Sequence, residues 1–137
     1  MIVIDASVLT HALTDDGPVG ASSRAELARD AHWAAPEHLV VEVFSAVRGR
    51  RLGHKISQTR AEDALSAIVT TTIDLVAAAP LLTRMWELRS NVSGYDAAYL
   101  ALAETFGCPL ITADARLAKI PELRCEIRLA LPAFLKP

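Results

Sequence analysis

An excess of positive charge is missing from this 137-residue chain. Fourteen Lys and Arg stand against 16 Asp and Glu, a formal net charge of −2. That balance excludes a generic polybasic nucleic-acid binder, so any nucleic acid must be met by a local patch or through metal ions. Cysteine is scarce as well. Cys108 and Cys125 fit no metal-ligand spacing and are too few for a disulfide framework, and they read as small buried apolar residues. His11, His32, His38 and His54 show no paired ligand spacing and read as surface or helix-end residues. No apolar run approaches the roughly 20 residues of a membrane span, and Asp5 interrupts the N-terminus too early for a secretory signal. A cytoplasmic protein with no membrane partner is expected. Six Gly and seven Pro exclude collagen-like and linker-like chains, and 52% hydrophobic against 22% charged residues excludes disorder. The length suits one domain over residues 1–137, and no repeat or inter-domain linker interrupts it.

Only 5% of residues are aromatic, while Ala and Leu are abundant, so helices should outweigh strands. Met1 to Asp5 is a short apolar run ending on a carboxylate, the pattern of a buried strand. Ala6–Thr14 suits a helix stopped by Asp15-Asp16-Gly17-Pro18, and Val19–Ala31 suits a second. Residues 32–35 read as a strand stopped by Pro36. Helical spacing runs from Pro36 to Arg51, with Leu39, Val40, Val43, Phe44 and Val47 as its apolar stripe. Ser57 caps a further helix carrying Ala61, Ala64, Leu65 and Ile68. Thr70–Val76 is rich in β-branched residues and reads as a strand. Ala79–Arg89 and Ser93–Phe106 read as helices, the latter closed by Gly107. Pro109–Thr112 and Glu126–Leu129 read as strands. The alternation predicts an α/β fold, a mostly parallel sheet with helices on both faces. In such sheets ligands sit beyond the carboxyl ends of the strands, where Asp5 and Asp114 fall.

Two more acids occupy unusual positions. Asp96 heads the helix face that continues through Tyr99, Leu100 and Ala103. Glu42 is flanked by Val40, Val41, Val43 and Phe44, and its own face continues through the small residues Ser45, Ala46 and Gly49. Each acid also has an ordinary explanation: Asp5 as a helix cap, Ser93 to Asp96 as a capping box, Glu42 as a polar-face residue. Four ionised carboxylates at one sheet edge need a compensating cation or extra protons. Two charges about 6 Å apart repel by roughly 3 kcal/mol at an effective dielectric near 20. An all-oxygen donor set selects a hard cation, Mg²⁺ or Mn²⁺, suited to phosphodiester hydrolysis.

Ile4-Asp5-Ala6-Ser7, Glu42, the run Tyr95-Asp96-Ala97-Ala98-Tyr99-Leu100-Ala101-Leu102-Ala103 and Leu110-Ile111-Thr112-Ala113-Asp114 occur in that order. This arrangement resembles the PIN-domain ribonucleases, in particular the VapC-type toxins of bacterial toxin–antitoxin pairs. The resemblance places Asp5, Glu42, Asp96 and Asp114 on the family's acidic catalytic positions. Asp5, Asp96 and Asp114 become direct metal ligands, and Ser7 and Thr112 supporting polar residues. It implies a three-layer α/β/α fold, metal-dependent RNA cleavage, a homodimer and a cognate antitoxin that blocks the site. Some relatives carry a further acid shortly after the fourth, where this chain has Leu117, so the number of ions stays open.

Arg48, Arg50, Arg51, His54 and Lys55 form the one basic run. It reads either as helix C-terminal charge or as a contact to the RNA backbone. Arg116 is the other basic residue within reach of a substrate phosphate. The functional expectation is a Mg²⁺- or Mn²⁺-dependent endoribonuclease. The alternative is a non-catalytic RNA-binding module of the same fold, and a receiver-like domain is disfavoured because Ala6-Ser7 follows Asp5 where receivers carry an acidic pair.

Overall fold

The computed structural model describes residues 1–137. Five strands, β1 (Ile2–Ile4), β2 (Trp33–Pro36), β3 (Ile73–Val76), β4 (Leu110–Thr112) and β5 (Ile127–Leu129), form one sheet in the order β3-β2-β1-β4-β5. Every pairing is parallel, with Val3 aligned to Ala34 on one side and to Leu110 on the other. The expected mostly parallel sheet is therefore wholly parallel. Six α-helices accompany it: α1 (Ala6–Thr14), α2 (Pro18–Leu27), α3 (Leu39–Leu52), α4 (Gln58–Thr70), α5 (Leu82–Glu87) and α6 (Gly94–Phe106).

The strand order dictates the layers. The chain steps outward from β1 to β2 to β3, then crosses back over β1 to reach β4. Right-handed crossovers put connections of opposite direction on opposite faces. Accordingly α1 packs on α2, α3 and α4, while α5 and α6 pack together, and α6 lies across β1, β2 and β4. The result is the three-layer α/β/α sandwich. Between β1 and β4 the chain leaves in opposite directions, which opens a crevice at their carboxyl ends. The central strands and α6 supply the densest core, with Val3, Ile4, Leu100, Leu102, Leu110 and Ile111 fully buried.

Several boundaries depart from the sequence reading, each for a visible reason. The second helix ends at Leu27 rather than Ala31, because Asp30 is drawn into other bonds. Its carboxylate accepts from the Met1 ammonium and the His32 amide, both at 2.9 Å. Pro36 closes β2 rather than opening α3, and the next ladder bond is donated by Glu37 N–H to Val76 O. Thr70 belongs to α4, not to β3. Thr70 and Thr71 hydroxyls donate back to carbonyls of the preceding turn, which holds β-branched residues in helix. On α3 only Leu39, Val43 and Val47 are buried, whereas Val40 and Phe44 face solvent. The segment from Ala79 divides into a 3-10 turn (Ala79–Leu81) and α5, anchored by buried Leu81 and Leu88. Leu82 and Trp86, 58% and 68% exposed, lie outside the core as expected of an apolar surface stripe.

One internal ion pair ties α5, α6 and the approach to β5. Arg84 donates to both oxygens of Glu104, from Nε at 2.7 Å and from a terminal nitrogen at 3.1 Å, and also to Glu122 O. Glu104 in turn accepts the Arg124 amide at 2.9 Å. Burial of Glu104 opposes its ionisation, but Arg84 and the Arg124 amide outweigh it and hold the carboxyl below its ordinary range. Arg84→Met should therefore lower unfolding free energy by about 2–3 kcal/mol in urea melts, since Glu104 would keep its charge without its fork. Unchanged stability would show that the pair is not what anchors these elements.

Candidate active site

Asp5 leaves β1 directly into the crevice and serves two purposes there. Its Oδ1 accepts the Val8 amide at 3.1 Å, capping α1, and the Ser7 hydroxyl at 2.6 Å. Its Oδ2 accepts the Thr112 hydroxyl from the neighbouring end of β4. Ser7 and Thr112 also brace the next loop: Ser7 Oγ accepts the Ala113 amide and Thr112 Oγ1 the Asp114 amide, each at 3.0 Å. The cap and the site are thus one residue, and both supporting hydroxyls sit where the sequence placed them. Burial is the dominant effect on Asp5. It pushes the carboxyl up to about 6, against the lowering effect of Ser7, Thr112 and Val8, and the charge of Asp96 pushes the same way.

Asp96 stands in the first turn of α6, which Ser93 caps by accepting the Asp96 amide at 3.2 Å. The carboxylate does not return a bond to the Ser93 backbone amide, so only half of a capping box forms. Burial, then the charge of Asp114, raises its pKa, while Arg116, Ser93 and His38 lower it. Asp5, Asp96 and Asp114 are therefore one electrostatic neighbourhood. Asp114 differs from the other two. Arg116 grips both its oxygens, through Nε at 3.0 and 3.2 Å and through a terminal nitrogen at 2.6 Å, and holds it below the ordinary carboxylate range.

Glu42 enters from the first turn of α3, a step away from this trio. Its Oε1 accepts the Tyr99 hydroxyl at 2.8 Å and lies 3.1 Å from His38 Nε2. Tyr99, almost wholly buried, keeps its proton because burial and the Glu42 charge, followed by Asp5, oppose the phenolate. His38 packs edge-on against Tyr99 and tilted against Tyr95, at ring-centroid distances of 4.9 and 5.6 Å. The sequence reading left both His38 and Tyr99 out of the site. The signal was the i, i+4 spacing of His38 and Glu42 at the start of one helix. Of the small residues beyond Glu42, Gly49 faces open space: a side chain added there would meet nothing within 4 Å.

The basic run lies elsewhere. Glu42 and Arg50 are eight residues apart on α3, about 12 Å along its axis, so the run does not flank the acids. Arg50 turns inward and donates to Thr14 Oγ1 at 2.6 Å, with His11 Nδ1 at 3.2 Å. It locks α3 to the end of α1. Arg48 is exposed and Arg51 half-buried at that same far end. Arg116 alone, among the four arginines, touches the acidic group.

The donor set suits a divalent ion. Three carboxylates act on one another electrostatically, and two of them, Asp5 and Asp96, are raised in pKa, first by burial and then by a neighbouring carboxylate charge. Asp5 Oδ2 carries a single hydrogen bond and keeps a lone pair for a ligand. As they stand, however, no three acid, His or Cys side chains close around one point. Asp114 is turned to Arg116, and Glu42 to Tyr99 and His38.

The chain and its fold have counterparts among known proteins. The PIN-domain family profile matches residues 2–123. Ribonuclease VapC1 of Mycobacterium tuberculosis is 38% identical over 128 residues, 93% of this chain and 96% of that protein. Ribonuclease VapC12 of the same organism is 35% identical over 129 residues, 94% and 98% of the two chains. Among solved structures, the crystal structure of M. tuberculosis VapC20, a Sarcin-Ricin loop cleaving toxin, superposes with a TM-score of 0.68 at 18% identity. It covers 90% of this chain and 98% of its own. VapBC2 from Rickettsia felis, bound to a DNA fragment from its promoter, gives 0.69 at 14% identity, covering 94% and 98%.

Asp5 yields a stability test with a definite sign. A folded pKa near 6, against 3.8 ordinarily, means the folded state holds the proton more tightly than the unfolded state. Asp5 thus costs nothing below about pH 4, and its cost grows as pH rises through 6. With the ion chelated, Asp5→Asn should melt higher than the parent at pH 7, by up to about 3 kcal/mol, and the gap should close towards pH 4. A variant that is less stable at both pH values would make Asp5 a cap and no more.

Proposed function

The chain belongs to the PIN-domain family, among the VapC ribonucleases, and on that premise we propose that it is a divalent-metal-dependent endoribonuclease acting as a toxin under the control of a cognate antitoxin. The observation that carries the reading is the electrostatic neighbourhood of Asp5, Asp96 and Asp114, in which the charge of Asp96 acts on Asp5 and that of Asp114 on Asp96. These three would hold Mg²⁺ or Mn²⁺. When bound, such an ion supplies Lewis-acid polarisation of the phosphoryl oxygen and a more acidic water.

The chain's own residues do the rest. Ser7, Thr112 and the Val8 amide fix the Asp5 carboxylate in one orientation. Glu42 is held through Oε1 by Tyr99, which leaves Oε2 free to orient a water and to take its proton. His38 against Oε1 and the exposed Tyr95 ring wall that side, where an unstacked base of single-stranded or looped RNA has an aromatic face to meet. Residues 1–137 work as one catalytic domain in this reading. No helix is long and apolar enough to cross a membrane, and we place the protein in the cytoplasm with its RNA substrate.

Two surfaces suit the protein partners. Leu82 and Trp86 on α5 offer exposed apolar surface for a homodimer, while Met85 between them packs against the core. Val41 and Phe44 on α3 are also exposed and flank Glu42. An amphipathic antitoxin segment laid there would bring a basic side chain to the acids. Light scattering should give twice the 14.7 kDa chain mass, and Trp86→Ala should shift the population to the single-chain mass. A parent protein that is monomeric at micromolar concentration would remove α5 as the dimer face.

Activity is tested by titrating Mn²⁺ into metal-free protein with labelled RNA. Cleavage should appear with the metal, and Asp96→Asn should reduce it a hundredfold or more, equivalent to about 2.7 kcal/mol of transition-state stabilisation. RNA that is bound but uncut at every Mn²⁺ concentration would favour the non-catalytic module instead.

A further inference from the structure

Arg116 is singular among the cations of this protein. It is 85% exposed, yet it turns Nε and one terminal nitrogen of its guanidinium to Asp114, whose side chain is 23% exposed. Three side-chain contacts at 2.6–3.2 Å span both carboxylate oxygens. No packing enforces this choice, for Arg116 sits on the surface of a 3-10 turn (Ala115–Lys119) that begins just after Asp114. Asp114 is held in place independently of the guanidinium: its Oδ1 accepts the Arg116 backbone amide at 3.0 Å, and its own amide is bonded to Thr112. The contact therefore neutralises Asp114 rather than building the loop.

The consequence is an acidic site in which one member is already paired with a cation from its own chain. Exposed ion pairs are weak and exchange readily. A divalent ion at the same oxygens is a far stronger partner for a carboxylate trio. Arg116 also lines a cavity of about 300 Å³ beside the acids, with Asn91, Ser93 and Asp96 on its walls and Leu117 and Ile120 on its floor. Released from Asp114, the guanidinium needs no backbone movement to face that cavity, where a fork of N–H donors matches a phosphate.

We propose that Arg116 is a built-in counter-ion that occupies Asp114 in the metal-free protein, yields it to the divalent cation, and then holds the substrate phosphate next to the one being cut. This rests on the metal-dependent ribonuclease reading above and adds how that site is kept charge-balanced before loading. Arg116 is thus a substrate-binding residue that is active only once the metal is in place, coupling metal loading to RNA binding.

The test measures Mn²⁺ affinity of chelator-stripped protein by the electron paramagnetic resonance of free Mn²⁺, without RNA. Steady-state cleavage of a labelled RNA at saturating Mn²⁺ follows. Arg116→Gln keeps the backbone amide contact and is expected to bind Mn²⁺ five- to tenfold more tightly than the parent, because the competitor is gone. The same variant should raise KM about tenfold with a smaller change in kcat, and reduce the salt dependence of KM by the share of one phosphate contact. Arg116→Lys keeps the charge but not the fork, and should recover part of each effect. Asp114→Asn serves as the control and should lose Mn²⁺ binding. Equal Mn²⁺ affinity in parent and Arg116→Gln, with binding still lost in Asp114→Asn, would overturn the counter-ion and leave the metal site standing. Weaker Mn²⁺ binding in Arg116→Gln would also overturn it, making Arg116 a support for the ion. Absence of Mn²⁺ binding in the parent would overturn both readings.

Discussion

The Asp5 carboxylate, buried at the carboxyl end of the central strand, is the constraint around which the rest of this protein is arranged. A charge in that position is expensive, and the structure meets the cost locally, with two hydroxyls and one backbone amide aimed at its oxygens. Those donors are shared with the next elements. Ser7 and Thr112 each pass a bond on to the loop after β4, so the same network that solvates Asp5 also sets the height of Asp114. Capping of α1, seating of β4 and placement of the site are three results of one hydrogen-bond cluster.

That cluster is only partly satisfied, and the shortfall is what makes it useful. Hydrogen bonds lower the pKa of Asp5, yet burial prevails and leaves it near 6. Asp96 is pushed in the same direction by burial and by its neighbour Asp114. A fold that retains such strain at a sheet edge trades stability for a standing demand for a cation. Arg116 answers that demand at one carboxylate only. Tyr99 and His38 around Glu42 solve a different problem. There the Tyr99 hydroxyl, which burial and the Glu42 charge keep protonated, supplies a donor to Oε1.

Three further arginines tie elements together away from the acids. Arg84 and Glu104 join α5, α6 and the approach to β5. Arg50 joins α3 to α1, and Arg60 joins α4 to the end of α1 through Leu13 O and Asp16. The three arginines each bridge helices through two or more acceptors. This explains how a chain with a modest aromatic content holds short elements in register. A guanidinium reaching across a helix interface covers apolar surface with its stem while its head finds carbonyls or carboxylates.

Much of this was legible in the residue order. An apolar triplet ending on an acid reads as a buried strand with a carboxylate at its end, and it does so twice, at Asp5 and near Asp114. Helical spacing placed Asp96 on the inward face of α6 and Ser93 at its cap, because these are properties of neighbouring residues and of the periods 3.6 and 2. The alternation of elements was enough for a layered α/β fold. Strand and helix ends were less legible, since Asp30 is drawn off by the Met1 ammonium, 29 residues away, and Thr71 by a bond back to the Ala67 carbonyl that its β-branched composition does not announce. The partners of each charge lay furthest from view. Arg50 and Arg116 look alike as basic residues beside loops, yet one is spent on Thr14, 36 positions away, and the other on the acid two residues before it. Tyr99 reads as core and His38 as a helix end until the fold brings the Tyr99 hydroxyl of α6 to the start of α3, where it meets Glu42, 57 residues away in the chain, beside His38. Local pattern determined which groups this protein carries to its sheet edge, because burial and periodicity are short-range in sequence. Tertiary structure decided which of those charges are compensated and by whom, because electrostatic and hydrogen-bond partners are chosen by distance in space.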